Sequence, residues 1–590
     1  MESIINTDGL PEKANNDTAA IQTEVSNIEQ QSNADIQNGE FSHSSYSLSN
    51  MCKPDIVDEN VNVTSFGEHL NYLLANKEEL ITKGKENIAV PIKISASEFV
   101  YDIWLYEFDN DDYSLKGIYR DGILIKLQSM GYYKRVRENN SYFFIHEHDN
   151  IINDAAKYNM KDSIWNYIKA INTPLEFEFS GLKVFEKPEK LRETFLRQSH
   201  LIFNDAFLEQ LSVHEKPILR DTKEAAFFYF KNHIIKVTQN GREVVEYANL
   251  LGYCIWGSQI IQRAFEFVED FRTGHFVKFI RNVCNNEQNR YSTIKSAIGY
   301  LLHHSKSPTK AQAVIAYDEC ITDIFNPMGG TGKGLLGNAL MQLRNVVTID
   351  GKKFKPDDKF KFQRITDSTQ IVWVDDPPPG FPFEIFNSVL TEGWDIEKKY
   401  QTEYHINPED SPKLYISSNG IMSGSGTTVK RRQFITEFSD HYSKLIENGN
   451  EEPIKTEHGC IFFDKNDWDT MEFNKFYSFM LDCVTYHLNN GLVYCEPKGM
   501  SKNYLIQSTS EEFVAWVNGK SFQLGEKYIT PDLYEDFKTS FNYGGDFKQR
   551  KLTDWLKKYA SNNGWKLELK HSGNTSFFSF VKIGGNVPVL

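Results

Sequence analysis

Four glycines around one lysine constrain this chain more than any other feature. Residues 327–334 read Pro-Met-Gly-Gly-Thr-Gly-Lys-Gly, so Gly329, Gly330, Gly332 and Gly334 crowd about Lys333, with Thr331 among them. Glycine lets a backbone turn successive N–H groups toward one point, and a lysine at such a turn reaches an anion held there. The pattern approaches G-x-x-x-x-G-K-[ST], which cradles nucleotide phosphates where a helix begins. It departs from that pattern twice. Pro327 stands at the first glycine, and Gly334 replaces the hydroxyl that ordinarily holds Mg²⁺. A helix is expected over Gly334–Leu343, with Leu336, Leu340 and Leu343 on one face, and Ala313–Tyr317 is the better candidate for a strand feeding the loop.

Three further segments follow in an order that supports a nucleotide site. Gln370-Ile371-Val372-Trp373-Val374-Asp375-Asp376 is an apolar run ending in two carboxylates, closed off by Pro377-Pro378-Pro379. That is the Walker B arrangement: a buried parallel strand whose end presents one carboxylate to Mg²⁺ and one to a water nucleophile. Lys413-Leu414-Tyr415-Ile416-Ser417-Ser418-Asn419 is a second apolar strand ending in an amide, suited to sense a γ-phosphate or orient the attacking water. Lys430-Arg431-Arg432 then precedes a strand over Gln433–Phe438, and either arginine fits a finger that neutralises transition-state charge from a neighbouring subunit.

Taken with Leu390-Thr391-Glu392-Gly393-Trp394-Asp395-Ile396-Glu397-Lys398-Lys399-Tyr400, this series resembles the superfamily 3 helicases, and more closely the helicase part of phage and plasmid primase-helicases. The resemblance covers about 195–440. It implies an α/β fold with an AAA+-like P-loop ATPase core that assembles as a homo-oligomeric ring, usually a hexamer, around single-stranded DNA and moves 3′ to 5′. It implies that Lys333 binds ATP phosphates, that Asp375 and Asp376 handle Mg²⁺ and water, and that Asn419 is the sensor. It also implies that Arg431 or Arg432 is the finger, and that 390–405 is a DNA-lining β-hairpin on which Lys398 and Lys399 are candidates to grip the backbone. The setting it implies is the cytoplasm of a bacterial host, with a separate primase or polymerase as a possible partner.

Composition sets the limits around this reading. The 590 residues are 40% hydrophobic, 14% aromatic and carry a net charge of −15, which excludes a generally basic nucleic-acid binder but leaves room for a basic groove. No apolar run reaches a membrane span, and the N-terminus has no signal-peptide pattern. The seven cysteines are scattered with no C-x-x-C, as expected in a reducing compartment without a zinc ribbon.

Five regions are expected. Residues 1–60, with 11 acidic and two basic residues, read as a disordered acidic tail. Residues 61–190 read as a mixed α/β accessory domain and 191–310 as a helical region, with Tyr253–Phe267 and Ser296–His303 at helical spacing and Ala226–Val237 a strand pair. Residues 311–500 hold the ATPase core. Residues 501–590 read as winged-helix-like: helices over Pro531–Phe541 and the basic Phe547–Tyr559, then strands over Trp565–Leu569 and Ser576–Val581, a pattern able to bind origin DNA. His146-Glu147-His148-Asp149 lacks a partner at metal-ligand spacing, and the Asp109/Asp111 pair of a primase-like D-x-D falls in a loop. Two alternatives remain open from the residues alone: a non-catalytic NTP-binding initiator scaffold, and another AAA+-like DNA-translocating ATPase.

Overall fold

The computed structural model describes residues 91–590 except 110–111, 251, 322–328, 400–401, 425, 542–546, 573–574 and 583–590. The chain separates into Met1–Asn62 and Val63–Leu590, and every described residue belongs to the second unit. The acidic tail expected over 1–60, and Pro327, lie outside the described residues.

Five strands make a wholly parallel sheet: β1 (Ala313–Asp318), β2 (Val346–Asp350), β3 (Ile371–Asp375), β4 (Lys413–Ser417) and β5 (Gln433–Phe438), side by side in the order β2-β3-β4-β1-β5. Ile371 of β3 pairs with Val346 and Lys413, and Val314 of β1 with Tyr415 and Phe434. Strand side chains alternate between faces, and here both faces are covered. Val314, Ala316, Ile371, Trp373 and Tyr415 pack with helix α1 (Lys333–Met341), through its Leu336 and Leu340. Ala313, Ile315, Val372, Val374, Leu414 and Ile416 pack into a second cluster on the opposite side. Burial on both sides is why these strands read as unbroken apolar runs, and it leaves the carboxyl ends as the place for polar chemistry.

The helices Gln288–Leu302 and Thr470–Asn490 cover the α1 side. They cross at Gly299, where a Cβ would come 2.0 Å from the carbonyl oxygen of Cys483, so only glycine permits this approach. On the other side, Trp394–Ile396 and Tyr404–Ile406 pair antiparallel as a hairpin, with Trp394 opposite Ile406. Trp394 anchors it edge-on against Phe362, with ring centroids 4.7 Å apart.

Residues 91–190 are mixed α/β. An antiparallel sheet runs from Ile92–Lys93 to Asp112–Ile118, and Arg120–Ser129, Lys157–Ala170 and Pro188–Ile202 pack as helices around Phe99, Trp104, Ile164 and Phe195. Two expectations for 191–310 need correction. The region is helical at its ends, but its middle is sheet: the strand pair expected over Ala226–Val237 is present as Ala225–Phe230 and Ile234–Thr238, and Gly241–Val245 extends it, all antiparallel. Tyr253–Phe267 is not a helix. It holds two short strands, Ile255–Trp256 and Ile260–Ile261, split by a 3₁₀ turn at Gly257–Gln259. Ile255 pairs with Ile151 and Ile260 with Tyr229, so the segment feeds two different sheets. Its three-to-four spacing of apolar residues reflects that double duty, and tertiary pairing overrides local periodicity.

At the C-terminal end, helices Thr530–Ser540 and Gln549–Asn562 precede an antiparallel ribbon, Trp565–Ser572 with Thr575–Lys582, and Tyr528–Ile529 adds a third strand. Phe537, Trp555, Leu556, Phe578 and Phe580 form its core.

Several histidines are buried in this fold. Burial pushes His303 down to about 4 and His304 to about 3 from the ordinary 6.5, with the Lys413 ammonium also disfavouring charge on both. His303 Nε2 bonds the Thr222 carbonyl at 2.6 Å. Near pH 6 the unfolded chain takes up protons that the folded chain refuses, so this stability is complete above pH 6.5 and is lost as pH falls toward the folded values. Thermal unfolding followed by circular dichroism should therefore show Tm falling between about pH 6.5 and about pH 5, ahead of most carboxylate titration. A flat Tm across that interval would show these imidazoles protonated in the folded protein.

Candidate functional site

The carboxyl ends of β1, β3 and β4 and the start of α1 converge on one cleft. Gly329, Gly330 and Gly332 have φ of 39°, 77° and 105°, a left-handed conformation that side chains resist. Gly332 is doubly constrained, because a Cβ there would sit 2.7 Å from the Phe279 ring. α1 then opens at Lys333 with no side-chain cap, so its first-turn N–H groups and dipole are available at the loop.

Lys333 is buried. Its ammonium donates to Asp318 Oδ1 at the end of β1, to Thr331 Oγ1 at 3.1 Å and to Asn419 Oδ1 at 2.9 Å. The Thr331 hydroxyl also donates to Asp318 Oδ1, at 2.5 Å. Asn419 faces both ways, since its Nδ2 donates to Asp376 Oδ1 at 2.8 Å. The amide thus spans from the cation to the second carboxylate of the β3 end.

The two acids of that strand end are held differently. Asp375 Oδ1 accepts the Ser417 hydroxyl at 2.6 Å, and Ser417 accepts Trp373 Nε1–H at 2.8 Å. Among the described residues Asp375 Oδ2 has no hydrogen-bond partner, so one oxygen is fixed and one is left for a ligand. Asp376 has φ of 52°, an unfavoured conformation for a residue with a side chain, and its N–H donates to Ser417 O at 2.8 Å. Its Oδ2 lies 2.6 Å from the ammonium of Lys352, a largely exposed lysine just past β2.

The glycine loop, Lys333, Asp375, Asp376, Ser417 and Asn419 line a cleft of ≈ 430 Å³, with Ile446, Pro453 and Ile454 as an apolar wall. Polyphosphate would find N–H groups, a lysine and carboxylates on one side and a surface for a ring on the other. Among the described residues no group of three or more His, Cys, Asp or Glu could hold a metal on protein ligands alone. The donor set does fit Mg²⁺ carried in by phosphates: Asp375 would hold it through its unpartnered oxygen, with water in place of the missing hydroxyl. At Gly334 a Cβ would meet nothing within 4 Å, so the space for that hydroxyl is present.

The remaining expected residues lie elsewhere. Arg431 and Arg432 end a short helix, Thr427–Arg432, directly before β5. Gln433 pairs with Ala313, so they sit at the amino edge of the sheet, about 17 Å of strand from the cleft edge. Neither lines the cleft of its own chain.

Lys398 and Lys399 follow the first hairpin strand but differ in surroundings. Lys398 is half-buried, 5.4 Å over the Tyr404 ring, and burial lowers its pKa against the pull of Asp154 and Asp367. Lys399 is exposed, 5.8 Å from the Phe360 ring. The hairpin is also tied to the N-terminal region by Arg137. Its guanidinium lies between Phe143 (4.2 Å) and Tyr404 (3.9 Å) and bonds Asp367 in a fork at 2.9 and 2.7 Å.

Sequence reasoning missed Asp318, Lys352, the apolar wall and Arg137. Only Asp318 had a visible signal: Ala313–Asp318 is an apolar run ending in Asp, as Ile371–Asp375 is.

No protein-family model matches the chain, and no curated protein matches it. Among solved structures, the A-form apo structure of the NrS-1 C-terminal region aligns over 78% of this chain and 99% of its own, at 11% identity and a TM-score of 0.34. A second A-form structure of that region gives 9% identity and a TM-score of 0.32 over 78% of this chain and 98% of its own. A JCV helicase with a bound acetamide compound aligns over 36% of this chain and 65% of its own, at 12% identity and a TM-score of 0.22. At such scores the cleft's own geometry has to support any functional reading.

Two glycines two residues apart should respond in opposite ways. Gly332→Ala forces a methyl onto Phe279 at positive φ and should cost about 1–3 kcal/mol. Gly334→Ser enters open space inside a helix and should leave stability unchanged or raise it by up to about 0.5 kcal/mol. Chemical denaturation of both variants checks this, and a destabilised Gly334→Ser would show that the loop is packed differently.

Proposed function

We propose that the chain is an ATP-dependent DNA helicase: a nucleotide hydrolase of superfamily 3 type, active as a ring, most simply a hexamer, on single-stranded DNA and moving 3′ to 5′. Its setting is replication of a phage or mobile element in a bacterial cytoplasm, with primase or polymerase activity in a separate partner. One observation supports this above the rest. Lys333, the adjacent Asp375 and Asp376, and Asn419 come from three separate segments of the chain and meet in one cleft floored by left-handed glycines at a helix start.

In this reading, residues 311–500 form an AAA+-like P-loop core and 501–590 a winged-helix-like domain for origin DNA. Incoming phosphates take the Lys333 ammonium from Asp318. Bound Mg²⁺ would supply charge neutralisation at the phosphate oxygens, with Asp375 as its protein ligand. Asp376 accepts from the attacking water, and Asn419, bonded to both Lys333 and Asp376, reports whether phosphate is present to the group that orients that water. Arg431 or Arg432 lies too far from its own cleft to act there, which supports action on a neighbouring subunit's cleft. The hairpin packs on the sheet face opposite α1, and its exposed Lys399 is better placed than Lys398 for a DNA phosphate.

Among the described residues no helix is long and apolar enough to cross a membrane. A second reading, an NTP-binding initiator scaffold, is favoured by one observation: Asp318 already neutralises Lys333. ATP binding without turnover would select it.

Purified protein should hydrolyse ATP with Mg²⁺, faster with single-stranded DNA, and unwind a 3′-tailed duplex. Lys333→Ala should lower kcat by about a hundredfold or more, and Gly334→Ser should lower the Mg²⁺ concentration needed for half-maximal turnover. Absence of ATPase in the wild type with DNA and Mg²⁺ present would end the enzyme reading. Arginine action between subunits predicts rescue: Lys333→Ala mixed with Arg432→Ala or Arg431→Ala should regain turnover that neither shows alone. No rescue with either arginine variant would remove the finger assignment.

A further inference from the structure

Helix α2 (Met500–Ser508) lies across the carboxyl ends of three adjacent strands. Just before it, the Glu437 carboxylate of β5 accepts the N–H groups of Lys498 and Gly499 at 2.9 and 2.7 Å. Gly499 sits so close to β1 that a Cβ would come 1.8 Å from the Glu319 carbonyl oxygen. Within the helix, Asn503, only 2% exposed, donates through Nδ2 to the carbonyls of Asp318 (2.9 Å) and Glu319 (3.1 Å) and accepts Ile321 N–H at 3.2 Å. One turn later, Gln507 accepts Ile421 N–H through Oε1 and donates to Ile421 O through Nε2, both at 2.7 Å. Residues four apart on a helix are about 6 Å apart and neighbouring strands about 4.8 Å, so one helix face matches the ends of β1 and β4.

What those amides hold is the backbone of the cleft. Asp318 is the residue bonded to Lys333 and Thr331. Ile421 follows Asn419 by two residues, and its carbonyl also accepts Gly380 N–H at 2.9 Å, in the turn after Asp376. The opposite attachment of α2 is to the C-terminal domain. Leu505 and Ile506 are buried in that domain's core with Phe513, Trp555 and Leu556. Helix α3 (Gln549–Asn562) adds Asn562, which accepts the Ser501 hydroxyl at 3.0 Å, and Lys558, whose ammonium donates to Ser508 O at 2.6 Å.

Amides bonded to backbone away from bulk water are costly to leave unpaired, most so for the buried Asn503 and less for the half-buried Gln507. α2 therefore cannot shift with the C-terminal core without either dragging the ends of β1 and β4 or breaking these bonds. We propose that α2 is a lever from the C-terminal domain to the nucleotide cleft, and that Asn503 and Gln507 are positioning residues that set Asp318–Lys333 and Asn419 for turnover, an inference that rests on the nucleotide-hydrolysis reading above.

The test uses the full chain with Asn503→Ala, Gln507→Ala and the graded Gln507→Glu, which keeps the acceptor for Ile421 N–H but loses the donor. Steady-state ATPase gives kcat and KM, and titration with a fluorescent ATP analogue gives the competent fraction and its Kd. Misplacement of reacting groups predicts kcat lower by about tenfold to a hundredfold per competent site, with KM and analogue Kd within about twofold and Gln507→Glu intermediate. A merely structural role would lower the competent fraction and leave kcat per competent site unchanged, and that result overturns the proposal. Should Asn503→Ala fail to fold, the Gln507 pair decides by the same criteria. Turnover in wild type with unaltered variants sinks this inference alone, whereas no turnover in wild type sinks both it and the function on which it rests.

Discussion

The cleft depends on the buried contact between Lys333 and Asp318. An ammonium removed from water is costly to leave without a countercharge, and here the countercharge comes from the last residue of β1, between β4 and β5. Thr331 and Asn419 add hydrogen bonds to the same pair, so the glycine loop, β1 and the segment after β4 are joined through one ion. In the nucleotide reading this arrangement has a specific advantage. The lysine exchanges one anion for another when phosphate enters, so its desolvation need not be repeated during the cycle. Asn419 makes the exchange visible elsewhere, because any move of Lys333 alters the partner of the amide that holds Asp376.

Around that ion the sheet does two things. Apolar burial on both faces fixes the strands rigidly, and the parallel direction brings their polar ends to the same edge. Elements that need to sense the cleft therefore approach from the edge or pack on a face. α2 crosses the edge, touching β5, β1 and the chain leaving β4. The hairpin packs on the face away from α1 and is fastened to the N-terminal sheet by Arg137 between Phe143 and Tyr404. The N-terminal and C-terminal regions are thus each attached to a different element packed on the same sheet.

Much of this was legible in the sequence because burial on both sides leaves long apolar runs with abrupt polar ends. Ile371–Asp375 and Lys413–Ser417 are strands of that kind, and the Leu336/Leu340 face of α1 follows from helical spacing. The basic helix and ribbon near the C-terminus were legible for the same periodic reason. Tyr253–Phe267 misled because two-residue strands are too short to show a period of two, and their partners Ile151 and Tyr229 lie far away in sequence. Asn503, Gln507 and Lys352 were invisible for a different reason. A polar residue that bonds another segment's backbone or strand-end carboxylate has no local pattern, and only the folded chain supplies its partner. The two candidate DNA lysines show the limit of proximity in sequence: adjacent residues, one half-buried beside Asp154 and Asp367, one exposed.

Charge in the cleft leads to a further consequence of the helicase reading. Among the described residues lining it, Lys333 is the one cation and is already bonded to Asp318, while Lys352 offsets Asp376 from the rim and Asp375 has no cation of its own. A triphosphate adds several negative charges to a site already negative on balance, and at short range in a partly desolvated cleft such charges repel strongly. Mg²⁺ relieves part of this and helix α1 adds a partial positive end, but charge developing during phosphoryl transfer still lacks a guanidinium. The chain's adjacent candidates, Arg431 and Arg432, stand at the amino edge of the same sheet, a strand's length away from this need. A rotation that brings the amino edge of one sheet against the carboxyl edge of the next would supply the missing charge to each cleft in turn. That contact is head-to-tail, and repeated by a closing rotation it generates a ring rather than a two-fold dimer. Under the helicase reading, a ring would thus answer an electrostatic deficit through the placement of two arginines.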